Sequence, residues 1–131
     1  MKKLIAVILT LLLLCCLIAC GSSDEITPAG QTYVYEKEGF GGGDFAITIN
    51  EDGTFNYYEG MFSSYIGTGE WKMEDSILTL YDDDYMGFPL ENYFRFDGSD
   101  LIFIESDSTN FSYVEVKDGE MFHGEPTVAE E

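Results

Sequence analysis

Basic side chains are scarce in this sequence of 131 residues: 6 Lys and Arg stand against 25 Asp and Glu, and the formal net charge at pH 7 is −19. A surface of this charge repels nucleic-acid phosphates and anionic lipid headgroups, and it attracts cations and basic proteins. Nucleic-acid binding is therefore excluded. The acids are scattered among apolar residues, which indicates the solvated face of a folded domain rather than a disordered acidic tail.

Histidine is scarcer still, and no catalytic pattern accompanies it. His123 is the only histidine, so the chain cannot build a multi-histidine zinc site. No nucleophile motif places a serine beside it. Carboxylates are so numerous that no particular pair of them indicates a glycosidase. We therefore predict no enzymatic activity.

Sustained helical periodicity is also missing. From residue 31 onwards, short aromatic and β-branched runs alternate with Gly, Asp, Asn and Ser, a pattern typical of an all-β chain. The Asp52-Gly53 pair predicts a tight hairpin turn, because glycine tolerates positive φ. The predicted strands are residues 31–37, 44–50, 54–59, 65–73, 76–81, 92–96, 101–105 and 111–117.

Eight strands with short links predict an antiparallel up-and-down barrel. Closure removes both sheet edges, and eight strands leave an interior that side chains fill or one small ligand occupies. Gly67 and Gly69 share a face with Trp71 and indicate a sharply coiled strand. We expect the barrel to span residues 31–120, before a C-terminal tail at residues 121–131. A two-sheet β-sandwich is the alternative fold.

One long apolar run is present, and it lies at the amino terminus. Residues 4–18 are almost entirely apolar, follow Lys2 and Lys3, and end in small residues, as in a secretory signal peptide. An uncleaved transmembrane helix is the alternative, because the run is near the lower length limit for spanning a bilayer. We expect cleavage after Ala19, which leaves residues 20–30 as a polar tether.

The end of this run resembles the lipobox of bacterial lipoproteins, with Leu17, Ala19, Cys20 and Gly21 at the characteristic positions. The resemblance implies a diacylglyceryl group on the Cys20 thiol, further acylation, and anchoring on the outer face of a bacterial cell membrane. Two acyl chains anchor stably where one is marginal. No acidic retention signal follows Cys20, which by the same resemblance implies the outer membrane in a two-membrane bacterium.

Cysteine is then absent from the folded part. Cys15 and Cys16 lie in the signal and Cys20 would be lipidated, so residues 21–131 contain no thiol. This excludes a disulfide, a thiolate metal site and a cysteine nucleophile. The stability of the domain must come from its core.

Turn glycines and core positions recur in a defined order between residues 30 and 120. The pieces are Gly-x-Tyr at 30–33 with one residue more, Ile-x-Ile-x-x-Asp-Gly-x-Phe at 47–55, Gly-x-Gly-x-Trp at 67–71, Leu-x-Leu at 78–80 and Asp-Gly-x-x-Leu-x-Phe at 97–103. This order resembles that of small bacterial lipocalin-like lipoproteins, and similar segments form outer tails of some regulatory membrane metallopeptidases. The resemblance supports the barrel fold and leaves the function open.

Several aromatic side chains and one cation are candidates for the lining of a ligand pocket inside the barrel. The alternative is that the aromatic rings simply fill the core, and that Arg95 pairs with neighbouring acids. We expect a monomeric, non-catalytic binding module for a small apolar or amphipathic ligand. An acidic interaction or sensory domain for a basic protein partner or a cation is the alternative. The candidate lining residues are Tyr57, Tyr65, Trp71, Phe94, Arg95 and Phe103.

The acidic segment around Asp82 invites comparison with a calcium-binding loop. Asp82 and Asp84 match the first and third ligand positions of that loop. Met86 and Tyr93, however, stand where oxygen ligands are needed, so the motif fails. A looser calcium site made by Asp82, Asp84 and Glu91 with backbone carbonyls remains as a weaker alternative.

Overall fold

The computed structural model describes residues 25–35, 45–60, 64, 66–85 and 87–126. The predictions for the signal peptide, the lipidated Cys20 and the pocket residue Tyr65 lie outside these residues. Within the described ranges, no helical segment has the length and apolar character needed to cross a bilayer. The strands are β1 Gln31–Tyr35, β2 Phe45–Ile49, β3 Thr54–Tyr58, β4 Ile66–Glu74, β5 Ile77–Tyr85, β6 Phe88–Phe96, β7 Leu101–Ile104 and β8 Met121–Pro126.

The strands form a closed barrel in chain order. Each strand pairs antiparallel with the next, and β8 pairs with β1 to close the sheet. Successive side chains of a strand point to opposite faces of the sheet. In β2, Phe45, Ile47 and Ile49 are buried inside the barrel, whereas the intervening residues are half-buried on the outer face. The predicted all-β, eight-stranded up-and-down barrel is confirmed, and the two-sheet sandwich is not the fold.

The antiparallel topology gives the barrel two different ends. The β2–β3, β4–β5 and β6–β7 turns lie together at one end, which we call the turn end. Residues 25–30, the entry segment, lead into β1 at this same end. The predicted hairpin turn at Asp52-Gly53 is present there: the Asn50 amide donates to the Thr54 carbonyl at 2.9 Å, and Gly53 has a φ of 89°. The opposite end is the loop end.

The last strand differs from the prediction. Residues 111–117 are not a strand, and β8 is instead Met121–Pro126, so the barrel extends beyond residue 120 and the predicted tail boundary is wrong. Phe111, Val114 and Val116 are buried, but their spacing does not alternate as a half-buried strand requires. In β8, Phe122 points into the core between exposed neighbours.

The acidic segment also differs from the prediction. Residues 82–91 were expected to form a loop, but β5 continues to Tyr85 and β6 begins at Phe88. Asp82 pairs with Leu90, and the register shifts between Asp82 and Tyr85 as in a β-bulge. Burial of the Leu90 side chain and pairing of the backbone outweigh the low strand propensity of aspartate here.

Aromatic rings fill the middle of the barrel. The Phe45 ring centre lies 4.7 Å from that of Phe111 and 5.1 Å from that of Phe122, both edge-on. Gly67 and Gly69 make room for this packing, since a Cβ atom on Gly67 would lie 1.7 Å from the Tyr57 ring. The two glycines of β4 thus leave space for the large rings of β3.

Candidate functional site

Three of the predicted pocket residues lie in the packed interior of the barrel. Tyr57, Phe94 and Phe103 are each at most 1% exposed and belong to the main hydrophobic core. The ring centres of Phe94 and Phe103 are 5.4 Å apart, and those of Tyr57 and Phe111 are 5.5 Å apart. These rings contact one another, which is the core-filling alternative stated from the sequence.

Arg95 does not line the interior. It lies between the inward-facing Phe94 and Phe96 in β6, and its own side chain is exposed on the outer face. Its expected place in the barrel lining is therefore wrong, because strand alternation turns it outward. Backbone hydrogen bonds, first those from the Asp100 and Ser99 amides, lower the pKa of the nearby Asp97 carboxyl, and the Arg95 charge lowers it least.

A segment between β7 and β8 closes the loop end. Residues 111–116, which we call the plug, bring Phe111, Val114 and Val116 into the core. Asn92 Oδ1 accepts a hydrogen bond from the Asn110 amide at 2.9 Å and so fixes the start of the plug. The plug therefore covers the loop end of the barrel interior, where the sequence predicted the ligand pocket.

Two buried polar side chains mark the underside of the plug. Glu59 is fully buried, and its Oε1 accepts a hydrogen bond from the Tyr113 amide at 3.2 Å. Asn92 is also fully buried, and its Nδ2 has no hydrogen-bond partner among the described residues. These two side chains tie the plug to β6 and to the end of β3 from the inside.

The three candidate calcium ligands are not brought together. Asp82 points into the barrel and is buried. Glu91 pairs with Tyr81, the residue before Asp82 in β5, so its side chain is exposed on the outer face. Asp82 Oδ1 accepts a hydrogen bond from the Asp84 amide at 3.0 Å and caps the bulge. In the described residues no group of three or more His, Cys, Asp or Glu side chains has the arrangement of a metal site.

Trp71 is the predicted pocket residue that borders an open cavity. Its side chain faces inward at the turn end, packs against the core with Met73, and is only half-buried. The indole Nε1 donates to the Asn50 carbonyl at 2.8 Å, which fixes the ring against the β2–β3 turn. Because Trp71 and Met73 lie at the end of the core, their free sides face solvent.

These two side chains form the floor of a cleft of about 580 Å³, which we call the turn-end cleft. One wall is the entry segment, where Ile26 is 66% exposed. That segment is held against the barrel by the Gly30 amide, which donates to the Ile49 carbonyl at 2.7 Å. The cleft is lined by Glu25, Ile26, Thr27, Trp71, Met73, Asp75 and Ser76.

The β4–β5 turn also lines the cleft. Asp75 and Ser76 connect β4 to β5 with φ values of 50° and 64°. Two positive φ values in a two-residue hairpin loop are typical of a type I′ turn. The left-handed region costs roughly 1–2 kcal/mol for a residue with a side chain, and serine tolerates it less well than aspartate or glycine does.

Carboxylates dominate the electrostatics of the turn end. Glu25 and Asp75 lie on the rim of the cleft, and Asp97 and Asp100 lie in the neighbouring β6–β7 turn. Hydrogen bonds from the Asp100 and Ser99 amides hold the pKa of Asp97 below its usual range. Burial, with the charges of Asp100 and Asp97, raises the pKa of Tyr33 to about 12.

His123 lies at this end as well, in β8. It is exposed, and its Nδ1 is 3.5 Å from Asp100 Oδ2. The described residues contain no cysteine and no second histidine. The arrangement is that of a surface ion pair that forms when the imidazole is protonated.

A second concave surface lies on the outer face of β4, β5 and β6. Lys72, Thr79 and Glu91 border two adjoining hollows of about 290 and 360 Å³. The Tyr93 hydroxyl donates to Glu91 Oε1, which raises the Tyr93 pKa. The lining of these hollows combines the positive charge of Lys72 with carboxylates and hydroxyls, whereas the charged residues that line the turn-end cleft are both acidic.

Comparison with protein-family models, curated proteins and solved structures found no match to this chain. Function must therefore be inferred from the barrel itself. The sequence predicted Trp71 as a pocket residue because of its aromatic ring, but it did not predict Met73, Ile26 or the cleft that they line. The entry segment and β4 are far apart in the sequence, and no local pattern signals that they meet.

Proposed function

We propose that this chain is a lipid-anchored envelope protein whose barrel is a non-catalytic binding module for a small apolar or amphipathic ligand. The turn-end cleft carries the proposal. Ligand sites are concave, mostly apolar, and roughly 300–1,000 Å³ in volume, with a few polar groups that orient the ligand. The cleft has about 580 Å³, an apolar floor and a polar rim.

The cleft supports this function better than the barrel interior does. The interior is occupied by rings that touch one another, and a ligand there would have to displace both the rings and the plug. The free sides of Trp71 and Met73 at the cleft are already exposed to solvent. Covering them with an apolar ligand gains roughly 25 cal/mol per Å² of buried apolar surface.

The proposed anchor places the cleft close to a membrane. The entry segment is the second half of the tether predicted at residues 20–30. Five residue steps separate Cys20 from Glu25, and they reach at most roughly 18 Å when fully extended. Amphipathic molecules concentrate at the membrane interface, so the anchor would hold the cleft where such ligands are most abundant.

Trp71 fluorescence tests this function directly, because Trp71 is the only tryptophan of the chain. Residues 21–131, prepared without the lipid, would be titrated with a nonionic alkyl glycoside below its critical micelle concentration. We expect a saturable change in the emission of Trp71. A change that grows linearly without saturation would contradict the proposal.

A matched pair of variants locates the site. Ile26→Asp places a charge on the wall of the cleft, and Ile66→Asp places one at an equally exposed isoleucine on the outside of β4; the exposures are 66% and 64%. We expect the first variant to weaken binding at least tenfold and the second to leave it unchanged. Equal effects of the two variants would show that the glycoside binds elsewhere.

The acidic surface favours a second candidate function, an interaction domain for a basic protein or a cation. Only four Lys and Arg follow residue 20, against all 25 acids of the chain. Contacts made by exposed charges weaken as salt screens them. Association with a basic test protein such as cytochrome c should then fall strongly between 50 and 500 mM salt, as measured by light scattering; association that persists at high salt would contradict this alternative.

A further inference from the structure

The turn-end cleft has one sign of charge on its rim. Glu25 belongs to the entry segment and Asp75 to the β4–β5 turn, so two separate segments each place a carboxylate at the cleft. None of the described residues that line the cleft carries a positive charge. The neighbouring Asp97 and Asp100 add to the negative potential of this end.

The floor of the cleft complements this rim. Tryptophan is the side chain that attracts cations most strongly over its ring face, and methionine packs adaptably against alkyl chains. The Trp71 ring is held in place by its hydrogen bond to the Asn50 carbonyl. A fixed aromatic ring beneath two carboxylates is a suitable surface for a molecule with both a positive charge and an apolar chain.

We propose that the turn-end cleft selects cationic amphiphiles, with the ammonium group between Glu25 and Asp75 and the apolar chain on Trp71 and Met73. This inference rests on the proposed binding function and adds the charge of the ligand to it. The apolar floor faces the core and the carboxylates face solvent, so the chain of the ligand lies inward and its head group outward. The overall negative charge of the protein further raises the local concentration of such ligands.

The test compares three probes of equal chain length: decyltrimethylammonium, decyl maltoside and decyl sulfate, each titrated below its critical micelle concentration. Trp71 emission gives the affinity of residues 21–131 for each probe. We expect the ammonium probe to bind at least tenfold more tightly than the maltoside. The sulfate probe should bind more weakly than either.

Two double variants distinguish the effect of the rim carboxylates on binding from the effect of the overall negative charge of the protein. Glu25→Gln with Asp75→Asn removes both rim charges, and asparagine is as tolerant as aspartate of the left-handed conformation at this turn. Glu70→Gln with Asp83→Asn removes the same charge from exposed positions outside the cleft. We expect the first pair to abolish most of the preference for ammonium over maltoside, and the second pair to retain it.

The outcomes distinguish this inference from the function on which it rests. Equal affinities for all three probes, with binding still sensitive to Ile26→Asp, would overturn the charge selection and leave the binding function intact. Binding of none of the probes would overturn both. A preference for ammonium that survives Glu25→Gln with Asp75→Asn would show that the whole negative surface, and not the rim, attracts the cation. Circular dichroism would verify that each variant keeps its strand content.

Discussion

The packing of Tyr57 over Gly67 leads to a strong prediction about stability. The two residues are directly opposite each other in the β3–β4 pair, and both face the core. A Cβ atom added to Gly67 would lie 1.7 Å from Cε1 and 2.1 Å from Cζ of the Tyr57 ring. Carbon atoms in contact are normally about 3.5–4.0 Å apart, so the ring would have to move by roughly 2 Å.

The ring has no free space into which to move. Its centre lies 6.2 Å from that of Phe45, 6.1 Å from that of Phe55 and 5.5 Å from that of Phe111. Overpacking a core of this kind costs typically about 1–3 kcal/mol. The lower backbone entropy of alanine in the unfolded chain returns about 0.4–1 kcal/mol. Because the added Cβ atom would lie as close as 1.7 Å to the ring, the overpacking cost falls at the upper end of this range, and we expect Gly67→Ala to destabilise the barrel by about 2 kcal/mol.

Urea unfolding followed by Trp71 fluorescence measures this change. Thr68→Val is the control, because Thr68 is the exposed neighbour and the substitution keeps β-branching; its effect should stay within about 0.5 kcal/mol. In a Tyr57→Leu background the same Gly67→Ala change should cost at least about 1 kcal/mol less, since the clashing ring is gone. The packing argument would be refuted if the Gly67→Ala variant were as stable as the parent. It would also be refuted if the effects of Gly67→Ala and Tyr57→Leu were strictly additive in the double variant.

Three further predictions concern the turn, the plug and pH. Ser76→Gly should stabilise the barrel by about 0.5–1 kcal/mol in urea unfolding, because glycine adopts the φ of 64° without strain, whereas Ser76→Ala should bring no gain. Phe111→Ala should cost about 3 kcal/mol, and Tyr113→Ala, which alters a side chain 47% exposed in the same plug, should cost less than about 1 kcal/mol; equal losses would contradict the role of the plug. The pKa of Tyr33 is raised to about 12, so the unfolded state loses this proton first and stability should fall as the pH rises from 10 towards 12. Tyr33→Phe should make that fall shallower in thermal melts at stepped pH, and an unchanged slope would count against the burial of its hydroxyl.

The barrel could be predicted from the sequence because local signals agree with the fold over most of the chain. Phe45, Ile47 and Ile49 alternate with polar or small residues, and Asp52-Gly53 marks the turn that follows. Strand number, order and the antiparallel meander follow from such runs. Here local preference and tertiary structure point to the same answer.

The last part of the chain shows where this agreement ends. Residues 111–117 are rich in aromatic and β-branched residues and have high strand propensity, but their apolar side chains form the plug. Met121–Pro126 contains glycine and proline and has low propensity, yet it pairs with β1, because closing the barrel requires an eighth strand. At both places the tertiary structure outweighs the local strand propensity.

The candidate site was the least predictable feature. An aromatic residue such as Trp71 is named easily, but its partners in the cleft come from the entry segment and the β4–β5 turn. The outward position of Arg95 follows from its place between Phe94 and Phe96, whereas the opposite faces of Asp82 and Glu91 depend on the register of β5 with β6. A one-residue change of register reverses every side chain, so the sequence pattern alone did not place them.

The pairing of β1 with β8 has a consequence for how the protein reaches its folded state. Every other pair joins neighbours in the sequence, but this seam joins Val34 to His123. The barrel therefore stays open until residue 126 has emerged from the ribosome. A chain that ended before β8 would leave β1 and β7 as two unpaired sheet edges, which are templates for aggregation.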